Sequence, residues 1–110
     1  MKQDYGEFAK ICGPTPRNII LEFFLALRTL DYGIGDIAEE CGLNRATTYN
    51  TMSELIKEKL IIHSRMVGRT QLYKLNTTDS NVKKLIEMFD LLLAKIAEEY
   101  EEGDKILIEQ

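Results

Sequence analysis

The chain has 110 residues, 45% of them hydrophobic, which suits one compact domain, and its two cysteines are too few for a disulfide scaffold. The net charge is −4, but the charged residues are unevenly distributed: residues 44–76 hold six basic and two acidic side chains, and residues 79–110 hold four basic and nine acidic ones. Charges act over about a Debye length, roughly 8–10 Å, so the basic middle can still attract an anionic partner. No apolar run approaches the ~18–20 residues of a membrane span, and no signal peptide is evident, so we expect a cytoplasmic protein.

The first third of the chain predicts two helices. A short helix is expected around Glu7–Ile11, before the break at Gly13-Pro14. Thr15 suits an N-cap and Pro16 the first helical position, so a second helix is predicted from there to about Leu30. This second helix is apolar on almost every side, which predicts burial on most sides, partly between two subunits.

A tight turn separates the next two predicted helices. Residues 31–35 are predicted to form a turn, and residues 36–41 a short helix whose acidic first turn suits the helix dipole. Gly42 fits the left-handed position that ends a helix, and Asn44 is a suitable N-cap for a helix over residues 45–59. Two helices joined in this way are typical of a helix-turn-helix.

The helix over residues 45–59 has two different faces. Thr48, Met52 and Leu55 stand at i, i+4 and i+7 and predict an inner face. Residues 44–53 contain no carboxylate, which phosphate would repel, so the start of this helix is suited to the major groove of DNA. The predicted DNA contacts on this helix and its cap are Asn44, Arg45, Thr47, Tyr49, Asn50 and Ser53.

Residues 61–76 predict a β-hairpin with its turn at Gly68. Tyr73 and Leu75 alternate with Lys74, so two of these three side chains are expected to face the core. Such a hairpin can lie as a wing on the flanking DNA backbone or minor groove. The predicted DNA contacts on the wing are Arg65, Arg69, Thr70 and Gln71.

Residues 79–110 predict a long helix, from about Ser80 to Glu102, followed by an acidic tail of open role. Val82, Leu85, Phe89, Leu92 and Ile96 follow heptad spacing, and further apolar rows lie beside them. One small domain would not cover so much apolar surface, so a homodimer is predicted; the alternative is a purely intramolecular core. The predicted interface residues are Ile20, Phe24, Leu85, Phe89, Leu92, Leu93 and Ile96.

The middle of the chain resembles the winged helix-turn-helix regulators of the MarR and ArsR type. The resemblance rests on DIAEECGLNRATTYN at residues 36–50, LIKEKLI at 55–61, VGR at 67–69 and LYKL at 72–75. It implies a mainly α fold with a small β-hairpin: a winged helix-turn-helix domain over residues 1–78 and a dimerisation helix with an acidic tail over 79–110. It also implies two recognition helices in successive major grooves, with DNA contacts from Arg45, Thr47, Tyr49, Asn50 and Arg69.

Two residues depart from the pattern of that family. Thr48 stands where an aliphatic residue is usual, which predicts looser packing of the recognition helix. Lys59 stands where glycine is usual, which predicts a differently shaped turn after that helix.

The sequence therefore predicts a sequence-specific transcriptional regulator that binds double-stranded DNA as a homodimer, with any small-molecule effector unknown. The alternative is a winged-helix protein-interaction module, which the acidic net charge favours and the basic middle disfavours. An enzyme is not expected, because the chain has no Gly-rich phosphate loop and no nucleophile motif. Neither a cofactor nor a metal is expected: Cys12 and Cys41 are predicted to be reduced and mostly buried, and His63 to be a hydrogen-bonded strand residue.

Overall fold

The computed structural model of the chain describes the backbone of residues 5–109 and the side chains of residues 5–100. The mainly α fold with one small antiparallel hairpin, predicted from the sequence, is confirmed. The elements within this range are α1 (Glu7–Cys12), α2 (Pro16–Ala26), α3 (Ile34–Cys41), α4 (Arg45–Lys57), β1 (Ile61–Val67), β2 (Thr70–Leu75) and α5 (Ser80–Glu109).

The main differences from the sequence prediction are at element boundaries. α2 ends at Ala26 instead of near Leu30, and α4 ends at Lys57, two residues early. α3 begins at Ile34, two residues before the predicted start. α5 continues to Glu109, through the predicted tail, whose side chains lie outside the described residues.

The helix ends follow the predicted capping chemistry. The backbone N–H of Asn18 donates to Thr15 Oγ1 at 3.3 Å, and the N–H of Thr47 donates to Asn44 Oδ1 at 2.7 Å. Gly42 has φ +66° and ends α3 in the left-handed conformation. These local interactions fix the turn between α3 and α4, and so the direction in which α4 leaves the domain.

α2 is the centre of the core, because α1, α3, α4, α5 and β2 all pack against it. Ile20 and Phe24 have no exposed surface within the single chain. The prediction that these two residues contact a second subunit is therefore wrong, since they have no surface to offer. The other fully buried large side chains include Leu25, Ile37, Met52, Leu55, Ile61, Leu75 and Val82.

The structure shows the surroundings of Thr48 and Lys59, the two residues that depart from the pattern of the MarR- and ArsR-type regulators. Thr48 is fully buried in the inner face of α4, and its Oγ1 donates to the carbonyl of Asn44 at 2.8 Å, so the hydroxyl is satisfied. Lys59 has φ +64°, and Leu60 N–H donates to the carbonyl of Leu55 at 3.0 Å. The turn therefore keeps the left-handed conformation that glycine favours, and the expected change of its shape is not observed.

Replacing Lys59 with glycine should raise the free energy of unfolding by about 1 kcal/mol, because left-handed backbone is unfavourable for a residue with a Cβ. Urea denaturation of both proteins measures the difference. Lys57→Gly is the matched control: this exposed residue lies in the last turn of α4, so glycine should destabilise the protein by about 0.5–1 kcal/mol. Destabilisation by both substitutions would contradict the left-handed conformation at Lys59.

Candidate nucleic-acid interface

The outer face of α4 carries most of the predicted DNA contacts at the surface. Tyr49 is 63% exposed, and Arg45, Asn50 and Ser53 are also exposed, whereas Thr47 is half-buried. The opposite face contributes Thr48, Thr51, Met52 and Leu55 to the interior. The helix is thus anchored by its inner face and presents hydrogen-bonding side chains to the solvent.

Two of the predicted contacts also bond to the backbone of α4 or its cap. The side-chain carbonyl of Asn44 caps the helix, and Ser53 Oγ donates to the carbonyl of Tyr49 at 2.9 Å. These bonds hold the two side chains in place. Arg45, Tyr49 and Asn50 are exposed on the same face and can extend outward from it.

The wing is fixed to the domain by contacts that the sequence did not predict. β1 and β2 are antiparallel, and Val67 lies opposite Thr70 at the tip. Tyr32, in the segment predicted to be only a turn, exchanges two backbone hydrogen bonds with Tyr73, at 2.9 and 2.8 Å. The chain before α3 thus adds a third, single-residue strand to the base of the wing.

A β-bulge at the base of the wing places two consecutive side chains on Asp31. The register shifts between His63 and Arg65, so Ser64 is the extra residue. Ser64 Oγ donates to Asp31 Oδ2 at 2.8 Å, and Arg65 Nε donates to the same oxygen at 2.9 Å. The hydrogen bonds from Arg65 and then Ser64 lower the pKa of the Asp31 carboxyl, so it is ionised at neutral pH. Arg65, a predicted DNA contact, is thus paired with Asp31 within the domain while its side chain stays 64% exposed.

Arg45 and Arg69 line one cleft between the wing and the starts of α3 and α4. Its volume is about 260 Å³, and none of the described residues that line it carries a carboxylate. The Arg45 guanidinium would lie 3.6 Å from a Cβ built on Gly35, which is ordinary van der Waals contact, so this guanidinium lies close against the start of α3. Two guanidinium groups in one cleft suit an oxygen anion such as a backbone phosphate. The remaining lining residues are Ile34, Gly35, Thr70, Gln71 and Tyr73.

His63 lies on the wing and serves its structure. Its Nε2 is hydrogen-bonded to Gln71 Oε1, and its ring packs edge-to-face on Tyr73 with centroids 5.8 Å apart. The predicted hydrogen-bonded strand histidine is thus confirmed. Gln71, a predicted DNA contact, uses its side-chain carbonyl in this bond.

The apolar face of α5 begins in the core and continues beyond it. Phe89 is almost fully buried by its own chain. The prediction that it lies in a subunit interface is therefore wrong for most of its side chain. Leu85 and Leu92 are half-buried, whereas Leu93 is 49% and Ile96 38% exposed. The described residues of this chain therefore cover the first half of the face and leave much of the second half in solvent.

An ion pair marks the point from which α5 leaves the domain. Arg28, after α2, bonds Asp90 through both terminal nitrogens, with Nη1 to Oδ2 at 3.1 Å. The Arg28 guanidinium beside Asp90 lowers the pKa of that carboxyl. The same guanidinium lies 6.0 Å from the centre of the Phe89 ring. These contacts fix the direction of α5.

The cysteines differ in their surroundings. Cys41 is buried as predicted, whereas Cys12 is exposed, contrary to prediction. Burial, and secondarily Glu40, raises the pKa of the Cys41 thiol to about 11, so it is protonated and weakly reactive at neutral pH. Within the part of the chain that the structure describes, no three His, Cys, Asp or Glu side chains are grouped to hold a metal. In the same part, no helix is both long and apolar enough to span a membrane.

The fold is similar to those of several solved structures. MepR from Staphylococcus aureus, a transcription regulator of the multidrug efflux pump MepA, is 20% identical with a TM-score of 0.59, and the match covers 84% of this chain and 70% of MepR. The adhesin competence repressor AdcR from Streptococcus pyogenes is 13% identical with a TM-score of 0.61, covering 84% of this chain and 69% of AdcR. A MarR family transcriptional regulator from Silicibacter pomeroyi is 23% identical with a TM-score of 0.59, covering 84% of this chain and 59% of that protein.

Neither a protein-family model nor a curated protein matches this sequence. The TM-scores of 0.59 to 0.61 establish the fold, whereas sequence identities this low leave the function to be argued from the site. In this chain the α3–α4 pair is followed by a hairpin and by the long helix α5. The chain therefore has the winged helix-turn-helix fold, the same fold as the transcription regulators to which it is similar.

Proposed function

We propose that the chain is a cytoplasmic transcription regulator that binds double-stranded DNA as a homodimer. The observation that carries the proposal is the outer face of α4, which exposes Arg45, Tyr49 and Asn50 and has no carboxylate over residues 44–53. A helix of this kind enters the major groove in helix-turn-helix proteins. The similar folds of MepR, AdcR and the Silicibacter pomeroyi protein, whose names describe regulators or a repressor, support the same function.

The exposed side chains divide by chemistry into base and phosphate contacts. Asn50 can bond a base edge through two atoms at once, as required to distinguish one base pair from another. Thr47 and Tyr49 supply hydroxyls suited to phosphate oxygens. Arg69, in the cleft that it shares with Arg45, can hold a phosphate between the wing and α4.

Two copies of the chain are needed to bind two half-sites. Residues 1–78 would serve as the DNA-binding domain, and residues 79–110 would join the subunits. The part of α5 beyond Asp90 supports this role, because its apolar face continues through Leu93 and Ile96, which remain 49% and 38% exposed in the single chain. Half-sites about one helical turn apart would then match the two copies of α4.

Replacing Arg69 with alanine should weaken binding to every duplex by about tenfold at moderate salt and reduce the slope of log K against log salt by about 1. The reason is the loss of one phosphate contact in the cleft between the wing and α4. Fluorescence anisotropy titrations of random-sequence duplex at several salt concentrations give both quantities.

Lys83→Ala is the matched control for this measurement. Lys83 is exposed on α5, so the variant loses the same charge outside the cleft, and its salt slope should stay near that of the wild type. An equal effect of both substitutions would assign the loss to net charge and contradict the cleft as a phosphate site. If the wild type binds no duplex at low salt, the DNA-binding proposal is wrong and the protein-interaction alternative is favoured.

A further inference from the structure

Two large apolar side chains lie exposed at the tip of the wing. Met66 is 54% and Val67 52% exposed, and both end β1 just before the turn. Gly68 has φ +62°, and a Cβ built on it would meet no atom within 4 Å, so the space beside the turn is open. Exposed apolar side chains at the end of a projecting hairpin are suited to contact with another molecule.

Each face of the hairpin tip carries one large apolar side chain, beside a polar one from the opposite strand. Met66 lies opposite Gln71 and Val67 opposite Thr70. Consecutive residues of a strand point to opposite faces, so Met66 and Val67 extend from the two sides of the ribbon. A narrow groove that received this tip would meet an apolar side chain on each wall.

The charge around the tip favours a polyanion as the molecule that it contacts. Residues 61–76 contain no aspartate or glutamate, and Arg69 follows the tip turn directly. Asp31 compensates Arg65 at the base of the wing, so the uncompensated cation nearest the turn is Arg69. The minor groove of DNA offers phosphates along its edges and apolar deoxyribose rings along its walls, which matches a cation beside two apolar side chains.

We propose that Met66 and Val67 enter the minor groove beside each half-site as an apolar wedge and so favour flexible TpA steps over stiff A-tracts. This inference rests on the DNA binding proposed above. Paired strands lie about 4.8 Å apart and carry side chains on both faces, whereas the minor groove is only about 6 Å wide. The tip therefore has to open the groove, which costs least at pyrimidine–purine steps.

The preference for TpA steps separates this contact from one made by arginine alone. An arginine in the minor groove favours the narrow groove of A-tracts, where the negative potential is strongest. An apolar wedge favours the opposite kind of flank at the same base composition. The sign of the preference therefore reports whether Met66 and Val67 or Arg69 dominates the contact.

The half-sites are obtained by selecting bound duplexes from a random pool. The test then compares two duplexes that share these half-sites and differ only in the sequences that flank them. One flank is TATATA and the other is AAAAAA, so both are purely A·T. The wild type should bind the TATATA duplex about fivefold more tightly. The double variant Met66→Ser, Val67→Thr should lose this preference, whereas Leu30→Ser, at an exposed position in the α2–α3 loop, should retain it.

Each other outcome overturns the proposal. Equal affinity for the two flanks, or tighter binding to AAAAAA, would show that the wild-type tip does not act as a wedge. A preference that persists in the double variant would assign it to other residues, and a change of oligomeric state in that variant would place the tip between subunits. Failure of every duplex to bind would overturn the proposed function as well, whereas the preceding outcomes would leave DNA binding in place.

Discussion

Replacing Ile96 with glutamate should raise the dissociation constant of the homodimer by about 100-fold or more, which corresponds to about 3 kcal/mol. Ile96 is 38% exposed on the part of α5 that continues the core face beyond the domain. A second copy that covers this face would bury the new carboxylate in apolar surroundings without a partner. Sedimentation equilibrium over a range of protein concentrations measures the constant.

Ala94→Glu is the matched control for Ile96→Glu. Ala94 is also exposed on α5, but two residues correspond to about 200° around a helix, so it faces away from Ile96. The control should dimerise as the wild type does and bind duplex with the same affinity. A wild-type protein that is monomeric at all concentrations, or equal loss of the dimer in both variants, would contradict the role of this face.

The elements that depend on near neighbours in the chain were predictable from the sequence. The caps at Thr15 and Asn44 and the left-handed Gly42 follow from side-chain and backbone chemistry within three or four residues. The outward orientation of Tyr49 and Asn50 follows from the helical spacing of the buried residues on α4. The candidate site could therefore be outlined without coordinates.

The features that were missed depend on contacts between distant parts of the chain. Asp31 pairs with Arg65 only because a bulge at Ser64 turns two adjacent side chains toward it, and the sequence gives no signal of a bulge there. The bridge between Tyr32 and Tyr73 is likewise a pairing across some forty residues. The pairing of Arg65 with Asp31 could therefore not be read from its charge and its place on the hairpin, and its predicted contact with DNA stays a prediction.

α2 shows why apolar pattern alone does not separate a core from an interface. A helix that is apolar on all sides is buried on all sides, but its sequence does not reveal whether its own chain or a second copy covers it. The structure supplies five neighbouring elements from the same chain, which leave Ile20 and Phe24 no surface for a partner. The two kinds of burial differ in one measurable property, the dependence of stability on protein concentration.

Phe24→Ala should lower the free energy of unfolding by about 3–5 kcal/mol, equally at every protein concentration. Phe24 is fully buried, and its ring packs edge-to-face on Phe23 with centroids 5.3 Å apart, so its removal leaves a cavity in the centre of the fold. Urea denaturation at two protein concentrations a hundredfold apart measures both the loss and its independence of concentration. The total stability of a small domain is about 5–15 kcal/mol, so Phe24→Ala can remove most of it. Phe24→Leu, with an expected loss of about 1 kcal/mol, leaves the protein folded and keeps the comparison measurable.

Leu93→Ala is the contrasting variant for Phe24. Leu93 is 49% exposed on the continuing face of α5, so its truncation should leave the isolated domain nearly as stable as before. It should instead weaken the dimer. The unfolding midpoint of this variant should then begin to fall at a higher protein concentration than that of the wild type. If the loss in the Phe24 variants grew as the protein was diluted, Phe24 would belong to the subunit interface after all, and the assignment of α2 to the core of a single chain would be wrong.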